Sequence, residues 1–225
     1  MTTERELEAE LGRSWRLNAS SWSTVVRAQA IASRRLATDA AIEATIRRQA
    51  PARVLDLGCG EGWLTRTLAN SGVAVTGVDG SAPLVEAARN AGRGIFHHLD
   101  YDDIVANPLQ AGSGYDIIVA NFSLLHETIG PLLDALRRCL APSGSLVTQT
   151  IHPVAITPYR DGWRSEDFHS LTDIATFVPM PWFFRTLGSW IALLSAAGYR
   201  LTLLEEPVHP ETGAPLSLLL TARPQ

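Results

Sequence analysis

Three alternate glycines closing a short apolar run constrain this chain more than any other stretch. In Val54-Leu55-Asp56-Leu57-Gly58-Cys59-Gly60-Glu61-Gly62-Trp63-Leu64, the residues Val54, Leu55 and Leu57 read as a buried strand, and an amphipathic helical pattern follows the glycines at once. That is the sequence form of strand, tight turn and helix. Glycine tolerates positive φ and lets another group come closer than a Cβ permits. The first N–H groups of the following helix are left free to meet a ligand. Asp56 places a carboxylate at the lip of the strand.

The rest of the chain repeats this alternation. Strands are predicted at 53–57, 73–79, 94–99, 115–120 and 145–150, with helices at 61–70, 82–90 and 131–140 between them. Such βαβ units imply a mainly parallel, doubly wound sheet with helices on both faces. A helix at 186–197 then leads to strands at 199–206 and 216–222, whose connecting turn is too short for a crossover and therefore predicts an antiparallel hairpin. The expected fold is α/β, Rossmann-like, with seven strands, a terminal hairpin and N-terminal helices. Residues 1–225 read as one domain. It comprises a helical cap (1–50), a core (51–151), an insertion (152–185) and a closing helix and hairpin (186–225).

Two segments stand outside the alternation. In 1–50, Asn18 or Ser20-Ser21 ahead of Trp22 offers an N-cap, and Trp15 and Trp22 serve either as core anchors or as the lining of a cleft. In 152–185, prolines accompany Tyr159, Trp163, Phe168, Phe177, Trp182, Phe183 and Phe184. A long irregular excursion in a compact domain is more often functional than decorative. Rings with a few polar groups, here His152, Tyr159 and Arg185, are usual in a small-molecule pocket.

Composition removes several chemistries. All 19 of the Lys+Arg residues are arginine, so a Schiff-base lysine and a phosphate-loop lysine are excluded. The net charge of −4 and the lack of any basic stripe argue against a nucleic-acid partner. Cys59 and Cys139 are too few for a disulfide framework, and no apolar run approaches membrane-spanning length. The expected compartment is the cytoplasm. No close-spaced histidine–carboxylate set suggests a metal.

Four strand ends carry the candidate site. Val75-Thr76-Gly77-Val78-Asp79 ends on an acid 19 residues beyond Gly60, placed to accept the hydroxyl protons of a ribose. Ser81 is the better helix cap nearby. Asp100-Tyr101 offers an acceptor and a ring, although Asp100, Asp102 and Asp103 also suit a solvated helix cap. Asn121-Phe122 ends the fourth strand.

Together with Leu55-Asp56-Leu57-Gly58-Cys59-Gly60-Glu61-Gly62, the segments Gly77-Val78-Asp79-Gly80-Ser81, Asp116-Ile117-Ile118-Val119-Ala120-Asn121 and Leu140-Ala141-Pro142-Ser143-Gly144-Ser145-Leu146 resemble motifs of class I S-adenosylmethionine-dependent methyltransferases. They are most similar to the small-molecule branch that includes quinone-biosynthesis enzymes, over about residues 50–222. The resemblance implies S-adenosylmethionine as cofactor and S-adenosylhomocysteine as product. By that resemblance Asp56, Gly58, Cys59 and Gly60 face the methionine portion. Asp79 takes the ribose, Gly80 and Ser81 flank the adenosine, Asp100 and Tyr101 contact adenine, and Asn121 and Phe122 lie near the sulfonium. The N-terminal helices would fold over the cofactor, with an arginine for its carboxylate, and 152–185 would wall a partly apolar or aromatic acceptor.

Methyl transfer to a hydroxyl needs a base, and histidine is the natural one near neutral pH. All six histidines are expected near the carboxyl ends of the strands. His126 and His152 follow the two strands that flank the methyl position, and are the catalytic candidates. Two rival readings stand beside this one. A nicotinamide-dependent oxidoreductase requires a third glycine where Trp63 stands. A non-catalytic regulatory protein would keep the nucleotide site but lack polar groups at the acceptor.

Overall fold

The computed structural model describes residues 3–225; the first two residues of the predicted helical cap lie outside the described residues. α1 (Glu4–Arg27), a π-helical turn (Arg34–Thr38) and α2 (Asp39–Arg48) precede the sheet. There follow β1 (Arg53–Leu57), α3 (Trp63–Asn70), β2 (Ala74–Asp79), α4 (Ala82–Asn90), β3 (Ile95–His98) and α5 (Tyr101–Ala106). Next come β4 (Tyr115–Asn121), α6 (Gly130–Arg137) and β5 (Leu140–Ile151), then β6 (Gly162–Glu166), β7 (Met180–Phe184), α7 (Leu187–Ala196), β8 (Tyr199–Glu205) and β9 (Ser217–Pro224).

Seven strands form one sheet in the order β3-β2-β1-β4-β5-β9-β8. The first five run parallel, and β9 lies antiparallel to both β5 and β8, as the short connecting turn requires. The order reverses between β1 and β4, so a crevice opens at their carboxyl ends, where open α/β sheets bind ligands. Strand alternation sends Leu55, Leu57, Ile118, Ala120, Leu146, Leu218 and Leu220 into one core beneath α5, α6 and α7. Val54, Ile117, Val119, Val147 and Leu219 face the other core, with Ile42 and Ile46 of α2 and Leu64 and Leu68 of α3.

Two segments correct the sequence reading. α1 runs unbroken through the positions expected to cap it; its N-cap is Thr3, in a capping box with Glu6. The polar residues midway along it instead satisfy an extended chain: Asn18 Nδ2 donates to Val178 O at 2.9 Å and Asn18 Oδ1 accepts from Val178 N at 2.8 Å. Ser14 Oγ donates to Pro179 O at 3.2 Å and Ser21 Oγ to Thr176 O. Segment 152–185 is not wholly irregular, because β6 and β7 pair as an antiparallel ribbon with Trp163 opposite Phe183 and Arg164 opposite Trp182. Met180, Trp182 and Phe184 alternate inward along β7. α1 thus packs on the ribbon and on α4, and roofs the crevice from both sides.

Candidate active site

The glycine turn is pinned on three sides. Gly58 N and Cys59 N both donate to Val78 O, at 2.8 and 3.0 Å, so the turn hangs from the end of β2. Gly58 has φ +73°, and a Cβ placed on it would lie 2.3 Å from Ser123 Cβ. The space freed by this glycine is therefore taken by the chain leaving β4 rather than by a ligand. Ser123 Oγ in turn donates to Leu57 O at 2.6 Å, and Tyr101 Oη donates to Ser123 O at 3.0 Å. On the third side Glu61, 1% exposed, accepts from Arg66 at 2.8 and 2.9 Å and from Arg27 of α1 at 3.3 Å.

Asp79 holds the turn from the second strand. Its Oδ2 accepts from Gly60 N and its Oδ1 from Ser81 N, each at 2.8 Å. Each oxygen keeps a further lone pair for a ligand hydroxyl. Burial pushes its carboxyl above the usual range, against the pull of the two N–H groups. Ser81 stands at the N-cap of α4 without a side-chain cap bond, so the carboxylate of Asp79 orders this corner as well.

A cavity of about 960 Å³ opens over the turn. Its lining includes Gly58, Cys59, Gly60, Asp79, Gly80 and Ser81 of the turn and the end of β2, and Asp100, Tyr101, Asn121 and Phe122 at and beyond the ends of β3 and β4. Trp15 of α1, Phe168, Met180 and Trp182 of the insertion, and His126 line it too, with Trp15 O 3.5 Å from Ser81 Oγ. Asn121 Oδ1 is buried there without a hydrogen-bond partner. Phe122 has φ +54°, a strained position of the kind found at ligand sites. Asp100 is the N-cap of α5, in a reciprocal box with Asp103. Burial drives the Cys59 thiol well above its usual value, which fits a filler and not a nucleophile.

Asp56 and His152 are not among the residues that line the cavity. Asp56 shares the strand parity of Val54, so its side chain points down toward α3, where Oδ2 accepts from Thr65 Oγ1 at 2.7 Å. His152 is buried, its Nε2 lies 2.8 Å from Glu206 Oε1, and its Nδ1 accepts from Val154 N at 3.3 Å. It fastens the end of β5 to the chain beyond β8. Tyr159 and Arg185, expected as polar lining, also face elsewhere. His98 Nε2 lies 3.2 Å from Gly80 O, and His209 Nδ1 accepts from Glu211 N within its own turn.

Of the six histidines, His126 is the one that reaches the cavity. Its ring centroid is 5.1 Å from that of Tyr101, and its Nδ1 is buried without a partner. Burial holds its pKa below the usual histidine value, which Asp102 and Asp100 oppose and Arg185 reinforces. Burial thus favours the neutral imidazole, whose Nδ1 lone pair or N–H meets no group of the protein. Sequence reasoning had no means to find Ser123, Thr65 or the Arg27–Glu61–Arg66 group, since each is defined by a distant partner.

Burial pushes the Asp56 carboxyl up to about 7, with the Thr65 hydroxyl bond opposing. The folded protein therefore holds a proton there that an unfolded Asp has released. Stability falls as pH rises from the ordinary carboxylate range toward 7 and levels off above it. Asp56→Asn cannot titrate, so it is expected to raise the melting temperature over wild type at about pH 8, with the gain shrinking toward about pH 4. Thermal denaturation across that range decides it; a constant difference between the two proteins removes Asp56 as its source.

Among the described residues no group of three or more His, Cys, Asp or Glu could hold a metal ion, and no helix is long and apolar enough to cross a membrane. A family model described as a methyltransferase domain matches residues 28–204, and the chain belongs to that family. It is 32% identical over 117 residues to a malonyl-[acyl-carrier protein] O-methyltransferase of Enterobacter lignolyticus, covering 52% of this chain and 45% of the relative. It is 25% identical over 146 residues to a ubiquinone biosynthesis O-methyltransferase of Rhodopseudomonas palustris, covering 64% of this chain and 53% of the relative. The chain spans about half the length of these curated relatives.

Among solved structures, its fold is shared with the 1,6-didemethyltoxoflavin-N1-methyltransferase of Burkholderia thailandensis, crystallised with 1,6-didemethyltoxoflavin and S-adenosylhomocysteine. The TM-score is 0.70 at 22% identity, over 100% of this chain and 92% of that one. An S-adenosylmethionine-dependent methyltransferase of Mesorhizobium loti gives 0.61 at 23% identity, over 80% and 96%. The fold and the family expected from the glycine turn and the strand ends are both borne out.

Proposed function

We propose that this chain methylates an ionisable hydroxyl or N–H of a small, planar, partly apolar acceptor, with S-adenosylmethionine as the donor. The observation that carries the reading is one cavity lined both by the glycine turn with Asp79 and by aromatic side chains, with the unpartnered Nδ1 of His126 beside Tyr101. The residues present fit the cofactor. Asp79 keeps free lone pairs at the lip of β2, the backbone of Gly58, Cys59 and Gly60 forms the adjoining wall, and the orphaned Asn121 Oδ1 awaits a donor. When bound, S-adenosylmethionine supplies a methyl group on a sulfonium, already activated for in-line displacement. Asp79 would hold the ribose, Gly80, Ser81, Asp100 and Tyr101 the adenosine, and Asn121 and Phe122 the sulfonium end. Arg16 and Arg34 line the cavity and are the candidates for the methionine carboxylate.

The chain's own contribution is alignment and the exclusion of water, which together can supply ~7–11 kcal/mol. α1 and the ribbon form the roof that does this, and Trp182, Met180 and Phe168 set the plane of the acceptor. His126 accepts the proton that the acceptor loses. We read residues 1–225 as one methyltransferase domain of the cytoplasm, a setting supported by two free, buried cysteines. The net charge of −4 supports a small molecule over a nucleic acid.

Calorimetry should show S-adenosylhomocysteine binding, and screening phenols, catechols and ring N–H heterocycles for its release should identify an acceptor. His126→Ala is then expected to lower turnover by ~10²–10⁴-fold with cofactor affinity unchanged. Because the His126 pKa is held down, the wild-type rate should persist to lower pH than an ordinary histidine base allows. Undiminished turnover by His126→Ala excludes it as the base. Cofactor binding with no release on any acceptor class favours the regulatory reading.

A further inference from the structure

The aromatic ribbon touches the catalytic histidine through its backbone. Residues 122–129, between β4 and α6, have no regular structure of their own, yet three successive carbonyls in this segment are each taken by the end of β7. Phe183 N donates to Leu125 O at 2.8 Å, and Arg185 Nη2 donates to both His126 O and Glu127 O at 2.5 Å. The Glu127 carboxylate accepts from Trp163 Nε1 on β6 at 2.7 Å. The segment that carries His126 is thus clasped by the insertion, 58 residues further along the chain.

Arg185 is an unusual residue for that task. It is 4% exposed, and its guanidinium carbon lies 4.8 Å from the Phe183 ring centroid and 5.3 Å from that of Trp190. Among the described residues it forms no ion pair within 4.0 Å, and its Nη1 is buried without a partner. Burial holds its pKa down to about 10. Asp161, Glu127 and Glu8 favour its charge only from beyond ion-pair distance. A buried cation with no carboxylate in direct contact is a poor source of stability, and an apolar side chain would pack between those rings at lower cost. What an apolar residue cannot do is bind two adjacent carbonyls with one nitrogen.

We propose that Arg185 is a positioning residue: by holding the carbonyls of His126 and Glu127 it fixes the backbone that carries the His126 ring and keeps that ring against Tyr101 at the cavity wall. Its catalytic meaning rests on His126 being the proton acceptor, but its geometry does not. The charges around His126 are Asp100 and Asp102 at the start of α5, Arg185 beyond β7, Glu8 of α1, which accepts from Thr128 N at 3.1 Å, Glu127 in the same segment, and Arg5 of α1 and Glu166 of β6 on the cavity wall. The carboxylates beside His126 favour its protonated form, and Arg185 opposes them. Loss of Arg185 therefore acts on the ring twice, by loosening it and by removing the opposing cation.

The test needs no acceptor. Full-length protein labelled with ¹⁵N-histidine is titrated by NMR, with the His126 signal identified by its loss in His126→Ala. In Arg185→Met the His126 midpoint should rise and its ring resonances should shift and broaden, while those of the other histidines stay in place. Arg185→Lys keeps the charge but not the planar fork. It should hold the midpoint near wild type yet still shift the ring. S-adenosylhomocysteine affinity should change less than about twofold, since the clasp does not touch the glycine turn. Should Arg185→Met not fold, Trp163→Phe loosens the same segment by removing only the donor to the Glu127 carboxylate while Arg185 keeps both carbonyls, and should shift the His126 ring by less. His126 resonances and midpoint identical to wild type in every folded variant overturn the proposal and leave Arg185 a packing residue. A shifted His126 beside full turnover by His126→Ala upholds the positioning role and overturns only the base assignment.

Discussion

Gly58→Ala is expected to lower the melting temperature by roughly 5–15 °C and to weaken S-adenosylhomocysteine binding by at least ~100-fold. Two costs combine. The residue sits at φ +73°, where an L side chain loses ~1–2 kcal/mol. Its Cβ would also lie 2.3 Å from Ser123 Cβ and 2.9 Å from Ser123 Oγ, an overlap that the packed end of β4 relieves only by moving, at ~1–3 kcal/mol. Each kcal/mol shifts the midpoint of a chain this size by ~2–4 °C. The movement falls where the cofactor must sit, because Ser123 also carries the bonds to Leu57 O and from Tyr101 Oη. Ser123→Gly removes the overlap together with the Ser123 Oγ bond to Leu57 O, so the single variant serves as a second reference. Gly58→Ala should cost less stability in the Ser123→Gly background than in wild type, and the difference measures the packing term. An equal cost in both backgrounds would place the whole effect in the backbone, and an unchanged melting temperature in Gly58→Ala would contradict the geometry outright.

The same residue shows which parts of the molecule are legible in a sequence. The glycine turn and the five parallel strands could be read because each is a local pattern: apolar runs, punctuation, and acids at strand ends. The antiparallel hairpin followed from connection length alone. Asp79 could be found because its position on β2 is fixed by the spacing from the turn. What could not be read depends on distant partners or on strand parity. Asn18 and Ser21 look like cap residues because they are polar, but their partners, Val178 and Thr176, lie 160 and 155 residues away. The β6–β7 ribbon was hidden by its prolines, although Met180, Trp182 and Phe184 do alternate with period two. Asp56 was drawn into the site by its nearness to the turn, whereas pleat parity turns its side chain to Thr65. His152 was drawn there by its place after β5, and was taken instead by Glu206. Arg185 reads by its position among aromatic residues as a pocket residue, whereas its guanidinium bonds the carbonyls of His126 and Glu127.

That division bears on how the two sides of the cavity depend on each other. The side lined by the glycine turn is built from adjacent strand ends, tied together by the bonds of Gly58 N and Cys59 N to Val78 O. The aromatic side is assembled from α1, the 122–129 segment and the ribbon, elements joined by side-chain bonds across the chain. Changes in the ribbon should therefore alter acceptor handling while leaving the glycine turn in place. Changes at the turn should reach everything, because the Arg27–Glu61 pair ties α1 to it as well.

Asp79 is where that asymmetry is tested most directly. Asp79→Ala removes the acceptors of Gly60 N and Ser81 N together with the group proposed for the ribose, and a hydrogen bond to a charged group contributes ~1.5–3 kcal/mol. Affinity for S-adenosylhomocysteine should fall by ~100-fold or more, with a loss of stability from the two orphaned loop N–H groups. Asp79→Asn separates the effects. Its amide oxygen can keep one of the two backbone bonds, and it has no buried charge to desolvate, so its melting temperature should lie closer to wild type than that of Asp79→Ala. Its amide nitrogen, a donor, faces a site that needs an acceptor, so much of the affinity should still be lost. The pH dependence gives the third arm. Burial raises the Asp79 carboxyl above its ordinary value, so the charged acceptor is lost at a higher pH than for an exposed Asp as the solution is acidified. Wild-type affinity should then weaken on acidification before the fold does, and Asp79→Asn should show a flatter dependence. Calorimetric titration of the three proteins at acid and neutral pH reads all of this. Equal affinity in wild type and Asp79→Ala, or tighter binding of a nicotinamide dinucleotide than of S-adenosylhomocysteine, would falsify the assignment of this carboxylate and of the cofactor it is proposed to hold.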